Sequence, residues 1–361
     1  APPPVPPKPA LSQHEPAAVL PQQALFDPEI AELETGTARE LLLGWTERGE
    51  AAQLGWVEGQ LVLAASDGRR TAVRATAVAL EAGRGPGRGG AAGAARSLAA
   101  LDAPEIAARA RRRMPPAAPA PPEFEPPSEP VPLLLAPEAA AILVDLLNRA
   151  LFSSTAFRDP ASPLRGRLGS LLFDRAITLV DDATDAGGLP FPCDLAGARK
   201  RPVELIREGV VLTPAVDGPL AVELGRPATP HFLSADESLA ANLFLRPGGR
   251  SDEDLRREVG ELGGLWVGSL GGIEVYPGGP RFRARAGGVR RIAGGELGEA
   301  LPDLSWEDRL PDALSRVIGV GDRPLVMGAG EPLRLFLGGT SAPALALDLR
   351  GRGAALYPAR G

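Results

Sequence analysis

An α+β fold is predicted, with a mixed N-terminal α/β part and a central helix followed by a β-rich antiparallel C-terminal domain. Three observations predict it. A proline-led segment from Pro137 carries apolar residues at helical spacing: Ile142, Leu143, Leu146, Leu147 and Leu151. From Leu171 onward the pattern changes to short apolar runs broken by Gly, Pro and Asp. The chain of 361 residues contains 44 Gly and 39 Pro, enough for many turns and linkers.

In chain order, residues 1–9, APPPVPPKP, hold six prolines and open a Pro-rich disordered tail expected over 1–24. A small α+β region is expected over 25–113. Pro28 to Glu50 reads as helical through Ile30, Leu33, Leu41, Leu42 and Leu43. Residues 55–80 read as a hairpin, with Leu61 and Leu63 on one strand, a turn at Ser66-Asp67-Gly68 and a return strand from Val73 to Leu80. Gly85 to Ala95 reads as a Gly/Ala loop, and Ala103 to Arg113 as a helix entered after Asp102. Residues 115–132 carry nine prolines in eighteen positions, so 114–132 is expected to be a linker.

After it, a short apolar strand leads into a helix from Pro137 to Phe152. Pro137 suits the first turn, and Glu138 suits its positive end. Asp145 and Arg149 are spaced to pair on the exposed face. This helix and the following strands make up 133–200, and 201–361 forms the β-rich remainder. Strands are expected at 176–182, 208–213, 265–270, 290–298 and 333–339, with helices at 251–262 and 306–317.

Composition excludes several function classes. A net charge of −6 argues against general nucleic-acid binding, and no apolar run is long enough for a membrane span. One cysteine, Cys193, rules out an internal disulfide framework or a Cys-rich zinc module. Two histidines, His14 and His231, exclude most histidine-based metal sites, and two lysines, Lys8 and Lys200, leave little for lysine catalysis.

Four motifs have bland readings that outweigh the functional ones. Gly85, Gly87 and Gly90 match a dinucleotide-binding spacing, but no acidic residue follows on a strand, which leaves a loop. Arg109, Arg111, Arg112 and Arg113 lack interleaved aromatics and read as a solvated helix end. His231, near Ser234 and Asp236, reads as a loop histidine with structural hydrogen bonds. Cys193 beside Asp194 reads as an inert, partly buried thiol, because a neighbouring carboxylate disfavours the thiolate.

Several segments between 131 and 340 resemble, in order, the TldD/PmbA family, historically named modulators of DNA gyrase. They are LLLAPEAAAILVDLLNRALFSSTAF, AITLVDDATDAGGLPFPCD, VELIREGVVLTPAVDGPLAVELGRPAT, ANLFLRPGGRSDEDLRREVGELGGLWV and RFRARAGGVRRIAGGELGEAL. Before them the likeness is limited to Ser66-Asp67-Gly68. TldD-like members are similar to zinc peptidases, with His-Glu-x-x-x-His on the central helix and a late cysteine ligand. TldE/PmbA-like members lack those ligands and pair with the first kind. Matching Pro137-Glu138-Ala139-Ala140-Ala141 to the family places Asp145, Leu146 and Ala150 at the His, Glu and His positions, and no cysteine follows near 324–340. A catalytic zinc needs about three N, O or S ligands, and Leu and Ala supply none.

The resemblance therefore implies a non-catalytic TldE/PmbA-like subunit of a heteromeric zinc peptidase, without catalytic, cofactor or metal residues of its own. Zinc belongs to a TldD-like catalytic paralogue, and the chain pairs with that paralogue or with itself. It would contribute an interface, at the central helix, and a channel for unfolded peptides, with Arg149 and His231 as cleft or interface residues. Two alternatives stay open. One is an enzyme with a different, non-zinc site at Asp145, Arg149 or His231; the other is a stand-alone peptide-binding or scaffold protein tethered by its proline tail. The resemblance implies a cytoplasmic location, while a start at Ala1 without Met leaves a trimmed, secreted or periplasmic chain open.

Overall fold

The protein's structure, a computed structural model, describes residues 24–47, 50–66, 68, 70–83, 90–113, 129–276, 280–328, 330–351 and 353–359. The expected tail up to residue 23, Asp67 of the expected turn, Gly85 and Gly87, and the expected linker up to Ser128 lie outside the described residues.

Near the N-terminus, Asp27 caps the short helix Pro28–Ala31 by accepting from the Glu29 amide, and a second helix follows at Thr35–Trp45. Strands Ala51–Ala64 and Arg70–Gly83 pair antiparallel, and Ala91–Ala95 adds a third strand beside Arg70–Gly83. The middle strand is buried on both faces by its alternation. Val78, Leu80 and Ala82 pack with Ile106 and Ala110 of helix Ala103–Arg113. Val73 and Ala75 face Phe191, Phe336 and Leu337 instead.

The larger part is built on two six-stranded sheets and one of four strands. In one six-stranded sheet, Leu133–Leu135 lies between Leu265–Val267, to which it is parallel, and Leu345–Leu347, to which it is antiparallel. In the other, Asn242–Leu245 lies between the parallel strand Gly339–Ala342 and the antiparallel strand Leu179–Asp181. The remaining pairs are antiparallel, as a β-rich antiparallel part requires. Strands from both sides of residue 200 share each six-stranded sheet.

The expected central helix spans Pro137–Leu147 and then widens into a π-helical turn at Asn148–Phe152, closed by the Ser153 amide donating to the Asn148 carbonyl at 2.9 Å. Leu143, Val144, Leu146 and Leu147 are buried in the main core, whereas Ile142 is half-buried. Each fully buried leucine contributes about 1.5–3 kcal/mol of transfer free energy as an upper estimate. No described helix is long and apolar enough to cross a membrane.

Two polar clamps dock the N-terminal sheet. The buried Arg96 guanidinium donates to the carbonyls of Thr76, Leu189, Pro190 and Phe336 at 2.9–3.1 Å. Glu138, also buried, accepts from Arg109 at 3.2 Å and Arg113 at 2.7 Å. Thus the basic cluster does not form the solvated helix end expected from its spacing. Arg109 and Arg113 turn toward the central helix, Arg111 pairs with Glu47 and Glu50, and Arg112 pairs with Glu105.

Several expected elements differ. The helix expected over Pro28–Glu50 is two helices. Residues 290–298, expected as one strand, form Arg290–Ala293 and Glu296–Ala300 around Gly294-Gly295, whose positive φ angles make the turn. Residues 333–339 form the helix Pro332–Leu337 rather than a strand, because Pro332 sets the first helical turn and Leu335, Phe336 and Leu337 bury together; a strand resumes at Gly339. Residues 306–317 divide into strand Leu304–Arg309, a short helix Leu310–Ala313 and strand Val317–Val320. There Leu304, Trp306 and Asp308 alternate inward with period two. The described end of the expected Gly/Ala loop is strand Ala91–Ala95. Its small residues are required sterically, since a Cβ on Gly93 would lie 2.8 Å from Ile106 Cδ1.

Candidate functional site

A cleft of about 280 Å³ opens beside the central helix. Ala141, Ile142 and Asp145 provide the helix wall, and Arg149 extends it from the π turn. The opposite wall comes from Met327 and Gly328, from Arg334 and Leu337, and from the Gly338-Gly339-Thr340 segment. Its deep end is formed by Cys193, Asp194, Lys200 and His231. A second cavity of about 320 Å³ shares Ile142 and Met327 with the first and is bounded by Gly268–Gly272 and Glu138.

Asp145 is the charged centre of the helix wall. Arg149, one helical turn on, places Nε 3.1 Å from Asp145 Oδ2. Arg334 arrives from the helix Pro332–Leu337 and grips the same carboxylate with both Nη atoms, Nη1 lying 3.2 Å from Oδ2. Burial alone would lower the Arg334 pKa, but Asp145 outweighs it and holds the guanidinium above its ordinary value. The pair therefore faces the cleft, with a third member that the i, i+4 spacing could not reveal.

At the deep end, Asp181 organises a wholly buried network. Its Oδ1 accepts from the amides of Ala241 and Asn242 at 2.9 and 2.7 Å. Its Oδ2 lies 3.0 Å from His231 Nε2 and 3.4 Å from Lys200 Nζ. Burial would raise the Asp181 carboxyl, yet Lys200, His231 and the backbone donors hold it well below the usual carboxylate range. Burial depresses His231 despite the nearby Asp181. A neutral ring satisfies both contacts: Nε2–H donates to Asp181, and Nδ1 accepts from the Thr229 hydroxyl at 2.7 Å.

Cys193 neighbours this network. Burial, then Asp194, pushes its thiol up to about 11. Asp194 itself is saturated by the amides of Ala196, Ala198 and Phe232. Among the described residues, no three His, Cys, Asp or Glu side chains cluster so as to hold a metal ion.

Asp145, Arg149, His231 and Cys193, singled out from sequence, all line this one cleft. Leu146 and Ala150 do not: Leu146 is buried in the main core, and Ala150 packs against it. Sequence reasoning missed Arg334, Asp181 and Lys200. Asp181 carried a signal, an acidic residue inside an apolar strand, where a buried carboxylate demands partners.

Comparison with known proteins agrees with this fold. The chain superposes on a proposed modulator of a DNA gyrase from Thermotoga maritima with a TM-score of 0.74 at 18% identity, covering 95% of this chain and 78% of that one. TldE from Thermococcus kodakarensis gives a TM-score of 0.64 at 22% identity, over 83% and 67% of the two chains. A proposed modulator of DNA gyrase from Bacteroides thetaiotaomicron gives 0.67 at 16%, over 90% and 72%. At these identities the likeness establishes the fold. A protein of Methanothermobacter thermautotrophicus named a metalloprotease is 28% identical over 164 residues, spanning 44% of this chain but only 36% of that protein. The profile of the PmbA/TldA metallopeptidase C-terminal domain matches residues 128–349, well over half of the sequence. The chain belongs to the PmbA/TldD family of metallopeptidase-related proteins.

Proposed function

We propose that this protein is a non-catalytic, TldE/PmbA-like subunit of a heteromeric zinc peptidase, contributing an interface and a channel for unfolded peptides. The observation that carries the reading is the state of Asp145. The resemblance sets it at the position of the family's first zinc-binding histidine, and in this chain two guanidinium groups occupy its carboxylate.

Zinc does not fit the donors around it. Leu146 and Ala150 offer no ligand atom, both nitrogens of His231 are engaged within the chain, and the Cys193 thiol is held protonated. The name of the Methanothermobacter relative favours a peptidase, and the reading accommodates it by giving the metal to a TldD-like paralogue. The two neighbouring cavities along the central helix share Ile142 and Met327, which supports a role in channelling peptide.

Co-expression with a paralogue bearing an intact His-Glu-x-x-x-His helix tests this. A stable heteromer is expected, cleaving an unfolded peptide only when the paralogue is present. Failure to associate, or zinc-dependent cleavage by this chain alone, would overturn the reading.

A further inference from the structure

We propose that the Asp145–Arg149–Arg334 cluster is a receiving site for a carboxylate of the bound peptide. The inference rests on the peptide-channel reading only in taking a peptide as the ligand; the cleft and its charges belong to this chain alone.

Asp145 brings two cations together on one wall of the cleft, and one carboxylate cannot saturate both. Arg334 spends both Nη atoms on it and is thereby fixed. Arg149 spends only Nε. Its two Nη atoms have no acceptor among the described residues, and the side chain is 45% exposed. Those Nη atoms form the outward half of a planar fork that matches a carboxylate. Asp145 thus acts as a positioning residue that orients Arg149 and keeps the two like charges adjacent. Lys200 does not compete for a ligand, because it is buried against Asp181. Of the acidic groups nearby, Asp194 is committed to backbone amides, and Glu331, exposed at the rim, and the half-buried Glu237 act on Arg334, which leaves Arg149 as the cation that receives the ligand. Ile142, Met327 and Leu337 add apolar lining beside the cluster, which lowers the local dielectric and strengthens an ionic hydrogen bond.

The full-length chain and a short fluorescein-labelled peptide of Ala, Ser and Val provide the test. Three forms are compared by anisotropy: a free C-terminal carboxylate, a C-terminal amide, and an amide with one internal Glu. At least one carboxylate form should bind about tenfold or more tighter than the plain amide, consistent with one charge-assisted hydrogen-bond pair. Which form gains tells a chain terminus from an acidic side chain. Arg149→Gln should abolish the preference while leaving the melting temperature near that of the parent, and Arg149→Lys should restore only part of it. Equal binding of all three forms, no binding of any form, or a preference that survives Arg149→Gln would overturn the inference. Equal binding would leave the peptide-channel reading standing, and that reading is tested separately by association with the paralogue.

Discussion

His231 Nε2 lies 3.0 Å from Asp181 Oδ2, and both side chains are wholly buried. The contact joins the end of strand Leu179–Asp181 to a loop distant in sequence and ties stability to pH. The folded imidazole has a depressed pKa, so as pH falls through about 6.5 the unfolded chain takes up the proton first and stability drops. The folded Asp181 carboxyl is also depressed, so its contribution is complete above about 3.9 and is lost as pH falls below that. His231 thus makes stability rise with pH up to about 7, and Asp181 adds a further rise only below about 4. Urea melts across this range should show His231→Gln with a shallower slope near pH 6, by at most about 1.4 kcal/mol per pH unit. Parallel slopes for parent and variant would show that the ring is not held neutral.

Asp181→Asn should be far more costly than His231→Gln. It leaves Lys200 as a buried cation without its carboxylate, a type of change that costs about 3–5 kcal/mol. Equilibrium unfolding at neutral pH measures it, and a loss below about 1 kcal/mol would contradict the network described above.

Arg96 makes the corresponding argument for the junction between the N-terminal sheet and the rest. Truncation to Ala removes the donor to four carbonyls from three separate segments. Unsatisfied buried acceptors cost about 1–3 kcal/mol each before relaxation, so a loss of about 3 kcal/mol or more is expected. Amide exchange should quicken first in strand Arg70–Gly83, whose one face packs on Phe191 and Phe336. Uniform quickening over the whole chain would instead assign Arg96 to global stability.

How far the sequence reveals this arrangement depends on the range of the interaction. Helix Ala103–Arg113 and the central helix announce themselves through Asp102, Pro137 and apolar spacing, all local signals. The segment Leu333–Leu337 is apolar at every position but Arg334 and so suits either period, and Pro332 together with packing on Phe191 selects the helix. Strand Ala91–Ala95 has no β-branched residue to mark it; pairing with Arg70–Gly83 and the narrow space under Ile106 make it a strand. At the cleft, Asp145 and Arg149 are legible from their spacing. Arg334 comes from 189 residues away and Asp181 from 50 residues before its histidine, distances that no periodicity spans.

Cys193 is buried, with its thiol pushed up to about 11 by burial and Asp194, so at pH 8 only about 0.1% is thiolate. Iodoacetamide should label the native chain very slowly at that pH and label the urea-unfolded chain at the rate of an ordinary cysteine. Mass spectrometry of timed samples reads both rates. Equal rates would place the thiol in an accessible, polar setting.

The strongest test of the proposed degenerate zinc motif is to write the family pattern into the chain. Asp145→His, Leu146→Glu and Ala150→His together restore the side chains of the family pattern. Two of these three positions are wrong for the cleft as it stands: Leu146 is buried in the main core and Ala150 packs against it. A glutamate at 146 removes core packing and places a carboxyl among leucines, so the triple variant should lose at least about 2–5 kcal/mol of stability. Releasing Arg334 from Asp145 also leaves a largely buried guanidinium facing any incoming cation. Chain 324–340 still supplies no cysteine as the late ligand. Elemental analysis should therefore find no stoichiometric zinc, and a peptide-cleavage assay should find no activity. Robust zinc-dependent cleavage by the triple variant would mean that the fold retains more of a metal site than its present donors reveal.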